Sequence, residues 1–426
     1  MILLYRIFTI ILYPFLFIFL YYRKLINKED PIRFKEKILP GCFNVNKKNT
    51  KLIWFHASSI GEFRSIIPII NNLSSGKKDL DFLVTTSTVS SGNLAKIELK
   101  KFNNVYHRYF PFDVPFLMNK FIRFWNPDRI FLVDSEIWPN LILTAKKYKI
   151  PIALINARIT SKSFKKWLIF SKTAKKIFGT FKVCICSNFE TKKFLEQLEL
   201  KNINYVGNIK LASQIDEKKI YNINKDFIQN KRFWFAASIH NGEEIFCLKT
   251  HIELKKKFNN ILTIIAPRHI ENSKKIKYLS ERLNLKTQIL NENEKILKNK
   301  EVVILNFFGA LQNYFKYAKS VFMGKSMIEK LKTTGGQSPI EAAKLNCKIY
   351  HGPYVYNFEE IYKIFEKKNI SKKISNIGEL VENLSLDLKD PVKQKGEISE
   401  SINELGNKTL SSTMRLVDNF LKNEIK

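Results

Sequence analysis

The chain has 426 residues, 45% of them hydrophobic, and a formal charge of +33 from 72 Lys and Arg against 39 Asp and Glu. That length is too great for one ordinary core and predicts two domains, and the apolar share excludes a disordered chain. Five cysteines without CxxC spacing and six dispersed histidines give neither a disulfide framework nor a metal-ligand pattern, which suits a reducing cytoplasm. A basic surface fits nucleic acid, an anionic membrane or an anionic small substrate. A biased composition explains it equally well, since Lys, Asn, Ile and Phe abound while Gly and Ala are scarce.

Residues 2–22 form an apolar stretch broken only by Arg6 and Thr9. At ~1.5 Å per helical residue it reaches about 31 Å, the thickness of a hydrocarbon layer. Tyr21, Tyr22, Arg23 and Lys24 then read as an aromatic belt with a positive flank, which puts the following chain in the cytoplasm. A cleaved signal peptide is disfavoured because no small-residue cleavage site follows. Pro14 leaves open whether this anchor spans the bilayer or inserts halfway.

From Lys51 the chain alternates short apolar runs with helical segments, the pattern of parallel sheets wrapped by helices. Strands are expected at 52–55, 82–85, 129–133, 152–155 and 183–186, then at 233–236, 261–265, 302–305, 320–323 and 348–350. Cys184 and Cys186 would share one face of a buried strand. A polar break at 211–231 divides the two sets. The fold class is therefore α/β, with two doubly wound, Rossmann-like domains facing one cleft: an anchor at 1–24, a first domain at 25–210 and a second at 211–426.

Parallel sheets bind ligands beyond the carboxyl ends of their strands, so the residues after each strand matter most. Ser59-x-x-Glu62, Ser187-x-x-Glu190 and Ser338-x-x-Glu341 have the spacing of a capping box. For Glu190 the capping role suffices. Near Glu62 and Glu341, glycines suggest that a ligand approaches the backbone. In 335–341 two glycines permit a tight turn, Ser338 is a good N-cap and Pro339 suits the first helical position, so this helix start could hold a phosphate. Arg268 ends a strand and could fork onto phosphate or carboxylate, or form a surface ion pair. Asp134 and Glu136 follow an apolar strand, and acids buried there are costly unless paired. Neither GxxxxGK[ST] nor GxGxxG occurs, which disfavours a P-loop or a nicotinamide or flavin enzyme.

In order along the chain stand HASSIGEF, TTSTVSSG, YFPFDVP, DSEIWPNLI, INARIT, GNIK, AASIHNGEE, APRH, VFMGKS, GGQSPIEAA and HGPYVYNFEEI. With the amino-terminal anchor, this series resembles the bacterial 3-deoxy-D-manno-octulosonic acid (Kdo) transferases, in the family's order and spacing. The resemblance implies a GT-B fold and inverting, metal-independent transfer of Kdo from CMP-Kdo to the 6′-hydroxyl of a lipid A precursor, lipid IV(A). It implies Glu62 as general base and Asp134 and Lys210 as stabilisers of the transition state. CMP would be held by Pro267, Arg268, Phe308, Gly309, Ala310, Ser338, Pro339, Ile340 and Glu341. Asp134 stands where the family usually has Glu, Ser338 where it has Asn, and Ala310 where many members carry an acid.

The chemistry suits these residue types. An acceptor hydroxyl is a poor nucleophile and needs a positioned carboxylate, while CMP is a good leaving group that cationic donors can stabilise. The expected partners are CMP-Kdo, the lipid acceptor and anionic lipids of a bacterial inner membrane, with the catalytic domains on its cytoplasmic side. No cofactor and no nucleic acid are expected. Two other readings are a GT-B transferase using a UDP-sugar on a lipid and a basic, non-enzymatic membrane- or nucleic-acid-binding protein.

Overall fold

In the computed structural model, which describes residues 1–39, 50–76, 79–309, 311–390 and 396–422, the chain forms two compact units. One is Met1–Ser213 with Leu405–Lys426, and the other is Gln214–Glu404.

The first unit is built on strands β1 (Lys51–His56), β2 (Leu80–Thr86), β3 (Val105–Tyr109), β4 (Arg129–Val133), β5 (Ile152–Ala157), β6 (Phe181–Cys186) and β7 (Ile203–Tyr205). All pair in parallel, in the order β3-β2-β1-β4-β5-β6-β7. Apolar residues cover both faces because helices pack on each. Leu52, Trp54, Ile130, Leu132, Leu154 and both strand cysteines point to one side. Ile53, Phe55, Phe131, Val133 and Ile155 point to the other. Such near-continuous apolar runs are the signature of a sheet buried on two faces. The order reverses between β1 and β4, so a crevice opens at their carboxyl ends.

The second unit repeats the plan with β8 (Arg232–Ile239), β9 (Ile261–Pro267), β10 (Thr287–Leu290), β11 (Val302–Leu305), β12 (Ser320–Met323), β13 (Lys348–His351) and β14 (Ser371–Lys373). Its order is β10-β11-β9-β8-β12-β13-β14, again parallel, with the reversal between β8 and β12. Among the described residues each sheet thus has seven strands where the sequence pattern suggests five. The four that pattern leaves out, β3, β7, β10 and β14, are the four sheet edges.

The end of the chain departs from the expected division. The sequence pattern assigns everything from 211 to 426 to the second domain, but the chain rejoins the first unit at Leu405. The helix Glu397–Lys422 is amphipathic, and its Val417 and Phe420 enter the first unit's core beside Phe131. The Phe420 and Phe131 rings lie 5.1 Å apart at 73°. Gly406 is required within that helix, because a Cβ there would stand 2.3 Å from the Leu211 carbonyl oxygen.

The apolar stretch at the amino terminus is a helix, Ile2–Leu25, long and apolar enough to cross a membrane. One side of it packs on the first unit. Tyr5 donates to Asp113 (3.0 Å), Tyr13 donates to the Ile38 carbonyl (2.9 Å), and Leu20 is buried with Phe34 and Ile38. Asn140 also donates to Thr9 (3.2 Å). Leu3, Leu4, Phe8, Ile11, Phe15 and Ile18 on the remaining surface are exposed.

Candidate active site

At the reversal point of the first unit, β1 runs into the turn Ala57–Ser58–Ser59 and then the helix Ile60–Gly76. Glu62, in the first turn of that helix, reaches back to its own start. Its Oε2 accepts the Ser58 amide (2.7 Å), and its Oε1 accepts the Ser59 hydroxyl (2.9 Å). The reciprocal pair implied by Ser-x-x-Glu is present in a long form: the Ser59 amide lies 3.4 Å from Glu62 Oε2 and the Glu62 amide 3.4 Å from Ser59 Oγ. A carboxylate offers about four lone-pair sites, so these contacts do not exhaust it. The group is half-buried, and burial pushes its pKa up, reinforced by the nearby charges of Asp134 and Glu136 and opposed by Lys210 and the Ser59 hydrogen bond.

Asp134 and Glu136 arrive from the end of β4. Asp134 is buried and sits at a left-handed φ of 62°, an uncommon conformation for a non-glycine residue. Its amide donates to the Ile155 carbonyl on β5 (3.0 Å), and its Oδ2 accepts Lys210 Nζ at 2.6 Å. Lys210 lies in the short turn Ile209–Ala212, which Asn156 anchors by accepting the Ile209 amide (3.0 Å). The lysine also borders the Glu62 turn, since a Cβ on Gly61 would stand 3.9 Å from Lys210 Cε. Glu62, Asp134 and Lys210, far apart in sequence, thus meet at one crevice.

Sequence reasoning missed the support beneath this group. Glu136 Oε2 accepts His56 Nε2 (3.1 Å) and Trp138 Nε1 (2.7 Å). A carboxylate only accepts, so His56 carries a proton on Nε2. Its Nδ1 lies 2.9 Å from Thr85 Oγ1, which in turn accepts the Trp54 indole N–H (2.9 Å). The His56 ring is fully buried and stacked on Phe110 at 3.8 Å. The signal was available: a histidine ending an apolar strand, with an acid at the end of its neighbour.

The expected donor-binding residues all lie in the second unit. Pro267 is buried at the end of β9 and pairs with Ile239 of β8, and Arg268 beyond it is exposed. Phe308 and Gly309 follow β11; Phe308 is 70% exposed, and Gly309 has a φ of 83°. Ala310 lies outside the described residues. Gly335 and Gly336 let the next segment press against the chain at 354–355: a Cβ on Gly335 would fall 2.3 Å from the Tyr354 oxygen.

One detail of that segment departs from expectation. The helix there is only Ile340–Lys344, with Pro339 as N-cap and no side-chain capping bond, so Ser338 is not the cap. Proline at the cap position leaves Ser338 one residue too early to reach the free amides. Glu341 Oε1 accepts the Gln312 side chain (3.0 Å) instead of closing a capping box. Likewise Asn188 caps the helix at 189, and Glu190 accepts from Ser161 (2.8 Å).

The loop after β12 is held from the other side of the second crevice. Glu243, fully buried, accepts the amides of His240 (3.0 Å), Lys325 (2.7 Å), Ser326 (2.8 Å) and Met327 (2.9 Å). Ser238 and Lys325, on the two sides, have φ of 56° and 60°. Left-handed non-glycine residues thus occur at or just past the carboxyl ends of strands in both sheets, where such strain clusters at binding sites. Among the described residues no three His, Cys, Asp or Glu side chains are grouped so as to hold a metal ion.

The family model described as 3-deoxy-D-manno-octulosonic-acid transferase (kdotransferase) matches residues 33–213. A 3-deoxy-D-manno-octulosonic acid transferase from Rickettsia conorii is 30% identical over 339 residues, 79% of this chain and 71% of the relative. A probable mitochondrial 3-deoxy-D-manno-octulosonic acid transferase from Arabidopsis thaliana is 29% identical over 404 residues, 91% of this chain and 88% of the relative. In fold, the chain is similar to a glycosyltransferase from Rickettsia africae, with a TM-score of 0.56 at 14% identity over 88% of this chain and 100% of that one. Its two parallel α/β units are those of the GT-B class. With the carboxylate, lysine and basic loops at the carboxyl ends of its strands, this chain belongs to the 3-deoxy-D-manno-octulosonic acid transferase family of glycosyltransferases.

Proposed function

We propose that the chain moves Kdo from CMP-Kdo to the 6′-hydroxyl of lipid IV(A), with inversion and without a metal, at the cytoplasmic face of a bacterial inner membrane. The observation that carries the reading is Glu62: a half-buried carboxylate at a sheet reversal, its pKa raised, beside an Asp134–Lys210 ion pair. A raised carboxyl pKa narrows the gap to the hydroxyl it must deprotonate, and so makes a better base. As the acceptor oxygen attacks the anomeric carbon, Glu62 takes its proton, and the bond from that carbon to the phosphate oxygen breaks, releasing CMP. Lys210, held by Asp134, places a positive charge where negative charge develops.

In the second unit, Arg268 would meet the phosphate and Phe308 would lie against the cytosine ring. Gly309, Pro267 and the 338–341 turn would shape the pocket, and Glu341 would accept from the ribose. The helix Ile2–Leu25 would attach the enzyme to lipid. Its contacts from Tyr5 to Leu20, about 22 Å of helix at ~1.5 Å per residue, are all with the first unit. That favours a helix lying along the membrane face with Phe8, Ile11 and Phe15 toward the acyl chains.

The test is mass spectrometry of lipid IV(A) after incubation with CMP-Kdo and EDTA, with UDP-sugars as competing donors. Kdo addition with CMP release, lost in Glu62→Gln, is the expected result. Transfer only from a UDP-sugar, or unimpaired turnover in Glu62→Gln, would overturn it.

A further inference from the structure

The donor-side turn at 338–341 leads into a helix of five residues, too short to hold an oxyanion by its backbone dipole. The second unit places a different group at its reversal point. β8 bulges at Ser238, where its register with β9 shifts between Ala237 and Ile239, and this delivers His240 to the mouth of the crevice.

The half-buried His240 ring meets charged and titratable groups from each neighbouring segment. Arg268 and His269 come from the end of β9, and the His269 ring stands edge-on at 5.8 Å. Lys325 comes from the loop after β12. Glu243, on the same turn, is the acid in reach, and its carboxylate is occupied by four backbone amides, that of His240 among them. From the 335–341 segment, Gln337 Nε2 lies 3.3 Å from His240 Nε2. An amide nitrogen only donates, so His240 turns the lone pair of Nε2 toward it. Burial first, then Lys325, His269 and Arg268, pull the imidazole down to about 4. The site is therefore cationic before its histidine is charged at all.

We propose that His240 is the proton-taking member of an oxyanion site formed with Arg268 and Lys325, and that it becomes imidazolium only when a phosphate or carboxylate group binds between them. The proton comes from solvent and adds to Nε2; no other bond forms or breaks. Two donors cannot face each other, so the Gln337 amide must then turn its Oε1 toward Nε2. The inference rests on the donor reading above, because a CMP-linked sugar acid brings both a phosphate and a carboxylate.

The experiment follows the six histidines of the full-length chain by NMR with carbon-13 in the imidazole rings, His240 being assigned by loss of its signal in His240→Gln. Titrations are run alone and with CMP, cytidine, free Kdo and inorganic phosphate. The expected result is a rise of at least about one pH unit in the His240 pKa with CMP or inorganic phosphate and none with cytidine. His240→Gln should weaken CMP binding about tenfold. A rise with Kdo but not with CMP assigns the site to the sugar carboxylate. If CMP fails to bind but phosphate still moves His240, the donor reading falls and the oxyanion site stands. If CMP binds while the His240 pKa and the affinity of His240→Gln stay unchanged, the proposal is overturned.

Discussion

Lys210 Nζ lies 2.6 Å from Asp134 Oδ2, although 76 positions separate the two residues. β4 delivers the acid in a left-handed backbone, and the turn after β7, fixed by Asn156, delivers the lysine. Lys210→Met would leave a buried carboxylate unpaired, so unfolding stability should fall by about 2 kcal/mol. The double variant Lys210→Met/Asp134→Asn should recover part of that loss while remaining inactive. Denaturant melts beside an activity assay check both; simple additivity would mean the pair does not couple.

Glu62→Gln separates chemistry from folding. The folded-state pKa of this carboxyl is raised, so its contribution to stability is present at low pH and is lost as pH rises through that raised value. Removing the charge should therefore leave the melting temperature at pH 7.5 unchanged or higher, and glutamine can still serve the capping box. Turnover should drop ~10²–10⁴-fold. In the unmodified enzyme, the acid limb of kcat/KM should lie above the ordinary glutamate range.

Glu243→Gln should be among the most damaging changes in the second unit. One carboxylate satisfies four amides there, and an amide side chain would turn donors toward donors. A loss of about 2–3 kcal/mol is expected, with weaker CMP binding, because the loop carrying Lys325 is no longer held. Thermal melts and calorimetry in parallel would reveal both effects.

The amino-terminal helix has two separable faces. Tyr5→Phe removes a single hydrogen bond to Asp113 and should cost about 1 kcal/mol without changing vesicle binding. Phe8→Asp with Phe15→Asp should do the reverse: they are 59% and 63% exposed, so folding is spared while sedimentation with anionic vesicles falls. Equal loss of vesicle binding in both variants would contradict this division.

What the sequence disclosed follows burial. Arg129–Val133 and Val302–Leu305 were legible to the residue because central strands of a two-faced sheet are unbroken apolar runs. The edges were not. Val105–Tyr109 carries His107 and Arg108, and Ser371–Lys373 is two-thirds lysine, since an edge strand needs charge to discourage pairing with another chain. At the sites, Glu62 and Asp134 followed recognisable strands, whereas Lys210 is one lysine among many and only family resemblance picked it out. His240 stands in the AASIHNGEE stretch but received no role, because a bulge, invisible to periodicity, aims it. The return of the last helix was hidden for a similar reason: amphipathicity says that a face is covered, not by which sheet.

That return bears on how the protein is made. The second unit is one continuous segment inserted into the first, whose sheet lacks Val417 and Phe420 until the helix Glu397–Lys422 has been synthesised. The amino-terminal half, synthesised first, must wait in an unfinished state through translation of the entire insert. A premature stop near residue 404 would therefore injure the half of the enzyme encoded furthest from it.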